Sequence, residues 1–230
     1  MAARALILVA LATLGCDEDA LGPARAGLGW FSRAALSDHA ENRVACASCH
    51  DTADGPSRAV GGTLAGVATR PSFWNGAETD LLDATNACLT TFMRSAPLDR
   101  DDGRGRALFA YLETLPGAAT PVTYSIQLAV TRAPGGGDAG RGAAVYQRAC
   151  DGCHGAPHTA DGRLDPGAPL LPEEARSLAV QHFPTLSPAL VVIEKIRHGA
   201  FFGVGGWMPF FSLEALSDPD LADLLAYLTL

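Results

Sequence analysis

The sequence is poor in lysine and methionine, and it has no apolar run long enough to cross a bilayer as a mature helix. Lysine occurs once, at Lys195, and no function follows from that bias. Cations of all kinds are outnumbered: 17 Lys and Arg face 25 Asp and Glu, for a formal net charge of −8. A phosphate backbone is held by a basic surface, so this balance argues against a nucleic-acid partner. The strand-and-helix alternation of a βαβ unit is missing too, which removes the context of a thioredoxin-like dithiol. What is present is a core-forming 48% of hydrophobic residues over 230 positions, enough for one or two domains.

The apolar run from Ala5 to Leu14 follows one early cation, Arg4, and has the length of a secretory h-region rather than of a membrane span. Gly15 then precedes Cys16. This stretch resembles a bacterial lipoprotein signal, in which the cysteine is lipidated and becomes the new N-terminus. The resemblance implies a signal peptide at 1–15, a tether at 16–27, and a periplasmic chain whose membrane contact is a lipid at Cys16. An ordinary signal peptide cut nearby is the alternative, and either route exports the chain. Loss of residues 1–15 removes Arg4 and no acid, so the mature charge is one unit more negative than −8.

Beyond the signal the chain reads as two halves with one plan, residues 28–118 and 138–230. "AYLETL" closes the first and "AYLTL" the second, each after a CxxCH motif, which is the mark of an internal duplication. Leu108, Tyr111, Leu112 and Leu115 fall at helical spacing, as do Leu221, Leu224, Leu225 and Leu228. Proline and glycine mark 119–137 as a linker, with a short strand expected over Val122–Val130. Asp138 is placed to cap a helix leading to the second motif. Ser187-Pro188 and Gly199 bracket a helix over 189–198, and Ser217 with Asp220 forms a capping box. Thr79–Met93 is expected to be helical, with Leu82, Leu89 and Phe92 inward. The expected fold is all-α: two tandem cytochrome c-like domains with long loops.

The chemistry is carried by Cys46-Ala47-Ser48-Cys49-His50 and Cys150-Asp151-Gly152-Cys153-His154. Covalent c-type haem needs two thiols on one turn, one for each vinyl group, and a histidine beside them that reaches the iron from the same side. A zinc ribbon would bring its CxxC pairs within roughly 15–20 residues of each other. Here Cys150 lies 101 positions beyond Cys49. Two covalently bound haems are therefore expected, with His50 and His154 as proximal iron ligands. The proximal imidazoles need an acceptor for their second ring nitrogen, and the carbonyl of Pro169 is the candidate for His154.

Methionine is the commonest partner on the far face of a low-spin electron-transfer haem. Only three methionines occur, and Met1 leaves with the signal. Met93 and Met208 follow their motifs by 43 and 54 residues, one in each half. Both are expected as distal ligands rather than as core filler. Cys88 is the one cysteine without a haem or lipid duty, and three readings stay open for it. It is an inert buried thiol, an iron ligand in place of Met93, or a paired or modified cysteine. On an ideal helix five residues turn through a net ~140°, so Cys88 and Met93 point apart and cannot serve the same iron face. His39, His158 and His182 are read as exposed loop residues, and His198 as a cation suited to a helix C-terminus. Trp74 and Trp207 are expected against haem edges or core, and Arg70 near a propionate or at the surface.

"GRGAAVYQRACDGCHGAPHTADGR" together with "IRHGAFFGVGGWMPFFSLEALSDPDLADLLAYLTL" resembles class I cytochrome c over residues 138–230. That resemblance implies thioethers at Cys150 and Cys153 and His154/Met208 ligation. "NRVACASCHD", "GGTLAGVATR" and "LLDATNACLTTFMRSAPLDRDDGRGRALFAYLETL" are similar to the first domain of dihaem sulfur-oxidising cytochromes of the thiosulfate dehydrogenase type, over about residues 40–115. In that family a cysteine thiolate binds the iron of the catalytic haem, and Cys88 falls at the matching place. "RSAPLD" replaces the polar stretch that follows the methionine in that family. "TRPSFWNG" is faintly similar to dihaem peroxidases, without their distal catalytic histidine. The combined expectation is an electron carrier serving redox proteins of the periplasm or membrane. The alternative is a thiosulfate dehydrogenase-like oxidoreductase in which Cys88 is catalytic.

Overall fold

The structure is a computed structural model, and it describes residues 22–118, 124–127, 130, 132–199 and 206–230. The proposed lipidation site Cys16 and the signal residues 1–15 lie outside the described residues. Within them the ordered elements are helices, with isolated bridges at Asp51–Thr63 and Phe73–Glu78 as the only strand-like pairings. The fold class is all-α, as expected.

The first half contains α1 (Pro23–Phe31), the motif turn α2 (Cys46–Cys49), α3 (Leu81–Phe92) and α4 (Gly103–Leu112). The second contains α5 (Ala139–Ala149), the motif turn α6 (Asp151–His154), α7 (Glu173–His182), α8 (Pro188–His198) and α9 (Asp218–Tyr227). The caps read from the sequence are in place. Asp138 accepts from the Arg141 amide at 2.8 Å, Ser187 from the Leu190 amide at 3.3 Å, and Ser217 and Asp220 bond reciprocally. Asp80 caps α3 by accepting from the Leu82 amide at 2.6 Å, so that helix starts two residues later than expected.

Each half is built on one crossing of its first and last helices, and a glycine sits at each crossing. A Cβ on Gly27 would lie 1.9 Å from the Ala107 carbonyl oxygen and 2.6 Å from the Tyr111 Cβ. A Cβ on Gly142 would lie 2.1 Å from the Asp223 carbonyl oxygen and 2.6 Å from the Tyr227 Cβ. One turn further on, Phe31 meets the Tyr111 ring at 5.3 Å and Tyr146 meets the Tyr227 ring at 5.6 Å, both tilted by 54°. The same pair of helices, with the same glycine and aromatic contacts, is thus present twice. In the second half the crossing is tied further by Arg141, whose Nε and Nη2 fork the buried Asp223 carboxylate at 2.7 and 2.8 Å.

Two expectations are corrected here. Residues 23–27 are the first turns of α1, not tether, because Gly27 must enter the helix crossing for α4 to close. The described part of Val122–Val130 forms no strand. It straps over α8 and the segment after Met208: Leu213 donates to the Ser125 carbonyl at 3.0 Å, and Glu194 accepts from the Val130 amide at 2.9 Å. Among the described residues there is no sheet for it to join, and its Ser125, Gln127 and Val130 backbone groups pair with side chains and loop instead.

Gly142→Val is expected to destabilise the protein by about 1–3 kcal/mol or more, since a branched side chain must displace backbone rather than a flexible side chain. Denaturant unfolding checks this. A midpoint within error of the wild type would mean that the helices do not cross there.

Candidate functional site

Each motif turn is wrapped by the loop that follows it. The Cys49 carbonyl accepts from the Gly61 amide at 2.6 Å, and the Cys153 carbonyl accepts from the Leu164 amide at 2.9 Å. The His154 ring is then fixed from behind. Its Nδ1 lies 2.8 Å from the Pro169 carbonyl oxygen, the partner expected from the sequence. A carbonyl only accepts, so Nδ1 carries the hydrogen and Nε2 keeps its lone pair. Burial pushes the His154 pKa down and favours this neutral form.

His50 is held by shape. Its ring packs on Gly61, where a Cβ would lie 2.3 Å from Cε1. Burial lowers its pKa as well. The Gly61 and Gly62 carbonyls lie near enough to oppose that shift, yet Nδ1 is buried without a partner at hydrogen-bonding geometry.

The thiols are not those of a redox dithiol, whose thiolate is favoured by its surroundings. Burial pushes Cys46 up to about 11, and Cys49 and Cys150 up to about 12. All five described cysteines are free.

The second motif opens onto a cavity of about 890 Å³, within the ~300–1,000 Å³ range of ligand pockets. Cys49 lines it from the first half, and Cys150, Cys153, His154 and Met208 line it from the second. The donor set fits a covalent c-type haem: paired thiols on one turn, a neutral imidazole next to them, and a thioether on the wall of the same space.

Met208 is positioned by α8. Gly199 ends that helix at φ 71°, and a Cβ there would lie 2.6 Å from the Met208 carbonyl oxygen. The Phe211 amide donates to the Ile196 carbonyl at 2.8 Å. Arg197, with its side chain at 0% exposure, donates from Nη1 to the carbonyls of Phe211, Ser212 and Leu216, and from Nη2 to Asp218 at 2.8 Å. In the sequence Arg197 stands beside Lys195 and His198 in the last turn of α8, and only the fold shows that it is buried.

Met93 and Cys88 differ in burial. Met93, 4% exposed, caps the end of α3 and belongs to the packed first-half core with Leu36, Leu89 and Leu98. Cys88 is half-buried and packs in neither core cluster. Its thiol, pushed up to about 12 by burial, lies close enough to Cys46 and Cys49 for their charges to interact. Cys49, Cys150, Cys153, His154 and Met208, which line the cavity, are half-buried, as are Cys46, His50 and Cys88, which do not line it; Met93 is buried.

The remaining polar residues are mostly structural. His158 is exposed and pairs with Glu173 at 2.6 Å, while His198 pairs with Glu194 at 2.8 Å and meets the Gln127 carbonyl at 2.7 Å. His182 closes α7 instead of lying in a loop, and His39 is half-buried with Nδ1 unpaired. Arg70 donates to the Thr63 and Ala65 carbonyls, both at 2.8 Å. Trp74 stacks on Phe92 at 6.1 Å. Trp207 is 74% exposed and lines the cavity beside Met208.

Residues 137–228 match the family model described as cytochrome C oxidase, cbb3-type, subunit III. That match and the all-α fold define a cytochrome c domain in the second half, and with it haem-based electron transfer through a covalently bound c-type haem. No curated protein matches the chain. Among solved structures, thiosulfate dehydrogenase (TsdBA) from Marichromatium purpuratum in its "as isolated" form is similar at a TM-score of 0.41 and 20% identity. The similarity covers 90% of this chain and 45% of that one, so this chain spans under half its length. Among the described residues no helix is long and apolar enough to cross a membrane.

Proposed function

We propose that the chain is a dihaem c-type cytochrome that passes electrons between redox proteins of the periplasm, tethered to the membrane by lipid at Cys16. The observation that carries this reading is the repetition of the whole site. Two CxxCH turns, each ending in a half-buried imidazole and wrapped by its own loop, stand in two halves built on the same glycine-centred helix crossing. When bound, haem supplies one-electron iron chemistry at each site. Cys46, Cys49, Cys150 and Cys153 hold it covalently, His50 and His154 present neutral nitrogen, and Met208 offers sulfur across the second site. No substrate pocket is needed for this work, and partners dock through small, transient surfaces.

Intact mass of the exported protein tests the reading. The expected mass is the polypeptide plus two haem equivalents that survive acid extraction. One adduct or none overturns it.

A second reading is favoured by the placement of Cys88. A half-buried thiol near Cys46 and Cys49 suits a thiolate-ligated haem that oxidises a small sulfur anion, as in the thiosulfate dehydrogenase-type cytochromes that the first half resembles. In that reading the second site relays the electrons outward.

A further inference from the structure

The two motif turns do not stand apart in their own halves; they dock on each other. Arg43, three residues before Cys46, donates from Nη2 to the Asp151 carbonyl at 2.8 Å and meets the Asp151 carboxylate at 3.2 Å. Asp151 is the first residue between the cysteines of the second motif. Val44 follows, and its Cγ2 lies 3.0 Å from where a Cβ on Gly152 would be. Glycine at 152 is what lets the buried Val44 side chain reach the second turn. Gly162 plays the same part under the guanidinium, where a Cβ would fall 2.7 Å from Arg43 Cζ. Cys153 of the second half packs against the first-half core, and Cys49 of the first half lines the cavity of the second. A second clamp joins Arg94, just past α3, to Asp165 in the loop that wraps the second motif.

The geometry points to Arg43 and Gly152 as positioning residues that fix the two CxxCH turns against each other and so set the coupling between the two haem sites. This rests on the dihaem reading. The ion pair is not there for stability. Its partners are 45% and 36% exposed, and a pair so exposed to solvent contributes little to folding. What the pair adds, with the hydrogen bond to the Asp151 backbone, is register. A backbone acceptor inside the second motif cannot slide without carrying both of its cysteines along. Because thioethers would anchor the haems at these same turns, any shift between the turns is a shift between the two redox centres.

The test is low-temperature electron paramagnetic resonance of the fully oxidised holoprotein, with haem content measured on the same samples. Wild type is expected to show spin–spin interaction between two ferric centres. Arg43→Glu places a carboxylate against Asp151 and is expected to lose that interaction while both haems stay attached. Arg43→Lys keeps a cationic donor and is expected to retain it. Gly152→Val wedges the turns apart directly and is expected to lose it as well. If Gly152→Val fails to take up haem, the Arg43 pair of variants decides. Retention of the wild-type interaction in Arg43→Glu with two haems bound overturns the positioning role and leaves the dihaem reading standing. Wild type with a single haem overturns the dihaem reading itself.

Discussion

Met208→Ala is expected to leave the second-half haem covalently attached and to lower its reduction potential by at least about 0.1 V, within the ~0.8 V range that axial ligands span. Attachment is spared because the thioethers belong to Cys150 and Cys153, on a turn that Met208 does not support. The potential falls because the thioether is a soft donor that favours ferrous iron. Water or another hard donor in its place favours ferric iron. The loop itself should stay where it is. Arg197 grips the carbonyls of Phe211, Ser212 and Leu216, and the Phe211 amide is bound to the Ile196 carbonyl, so the segment is held from below without the methionine side chain. A spectroelectrochemical titration resolves the change. An unaltered potential would remove Met208 from the iron.

The caps show how much of the fold is local enough to read. Asp138, Ser187 and Ser217 each act within three residues of themselves, and each is where the sequence puts it. The Pro169 carbonyl lies only fifteen residues from His154, and the need of a proximal imidazole for an acceptor was enough to locate it. Helix α1 was hidden for a physical reason. "PARAGLGWF" opens with proline and contains two glycines, which lowers its helix propensity and gives it the composition of a linker. Its Gly27 is there for α4, eighty residues away, and only the crossing explains it. In hindsight the signal was the match of Gly27 and Phe31 to Gly142 and Tyr146, a four-residue spacing repeated against the two "AYL" segments.

The same distinction separates what was visible at the site from what was not. The motif residues are chemically self-explanatory and stand together. Arg43 gives no such hint, because its partner lies 108 residues away and the pair exists only once both halves have folded. The place of Met93 in the chain mirrors that of Met208, but the environments differ. Gly199 makes room for the Met208 backbone beside the cavity, while Met93 ends a helix whose inner face fills the core. Position along the chain repeats between the halves, and side-chain burial does not.

That difference sets up the second large effect, at Cys88. If Cys88 binds iron, Cys88→Ser is expected to change the spectrum of the first-half haem and to raise its potential by about 0.1 V or more, a part of the ~0.8 V axial range. Thiolate is the stronger electron donor and holds the ferric state; a neutral hydroxyl does not replace it. The proton matters here. Burial, with the neighbouring Cys46 and Cys49, pushes the thiol up to about 12, so without a metal it stays neutral at pH 7. Iron binding removes that proton outright, as it does for any coordinating thiol. Thiosulfate-dependent reduction of the holoprotein should then vanish in the variant. Met93→Leu is the companion measurement. A side chain 4% exposed among Leu36, Leu89 and Leu98 should tolerate a volume-conserving exchange at a cost below about 1.5 kcal/mol and leave both haem spectra as they were. The carrier with Met93 ligation demands the reverse pattern: Cys88→Ser silent, Met93→Leu altering one haem and lowering its potential. The two variants together decide between Cys88 and Met93 as the sixth ligand, and silence of both removes both from the iron.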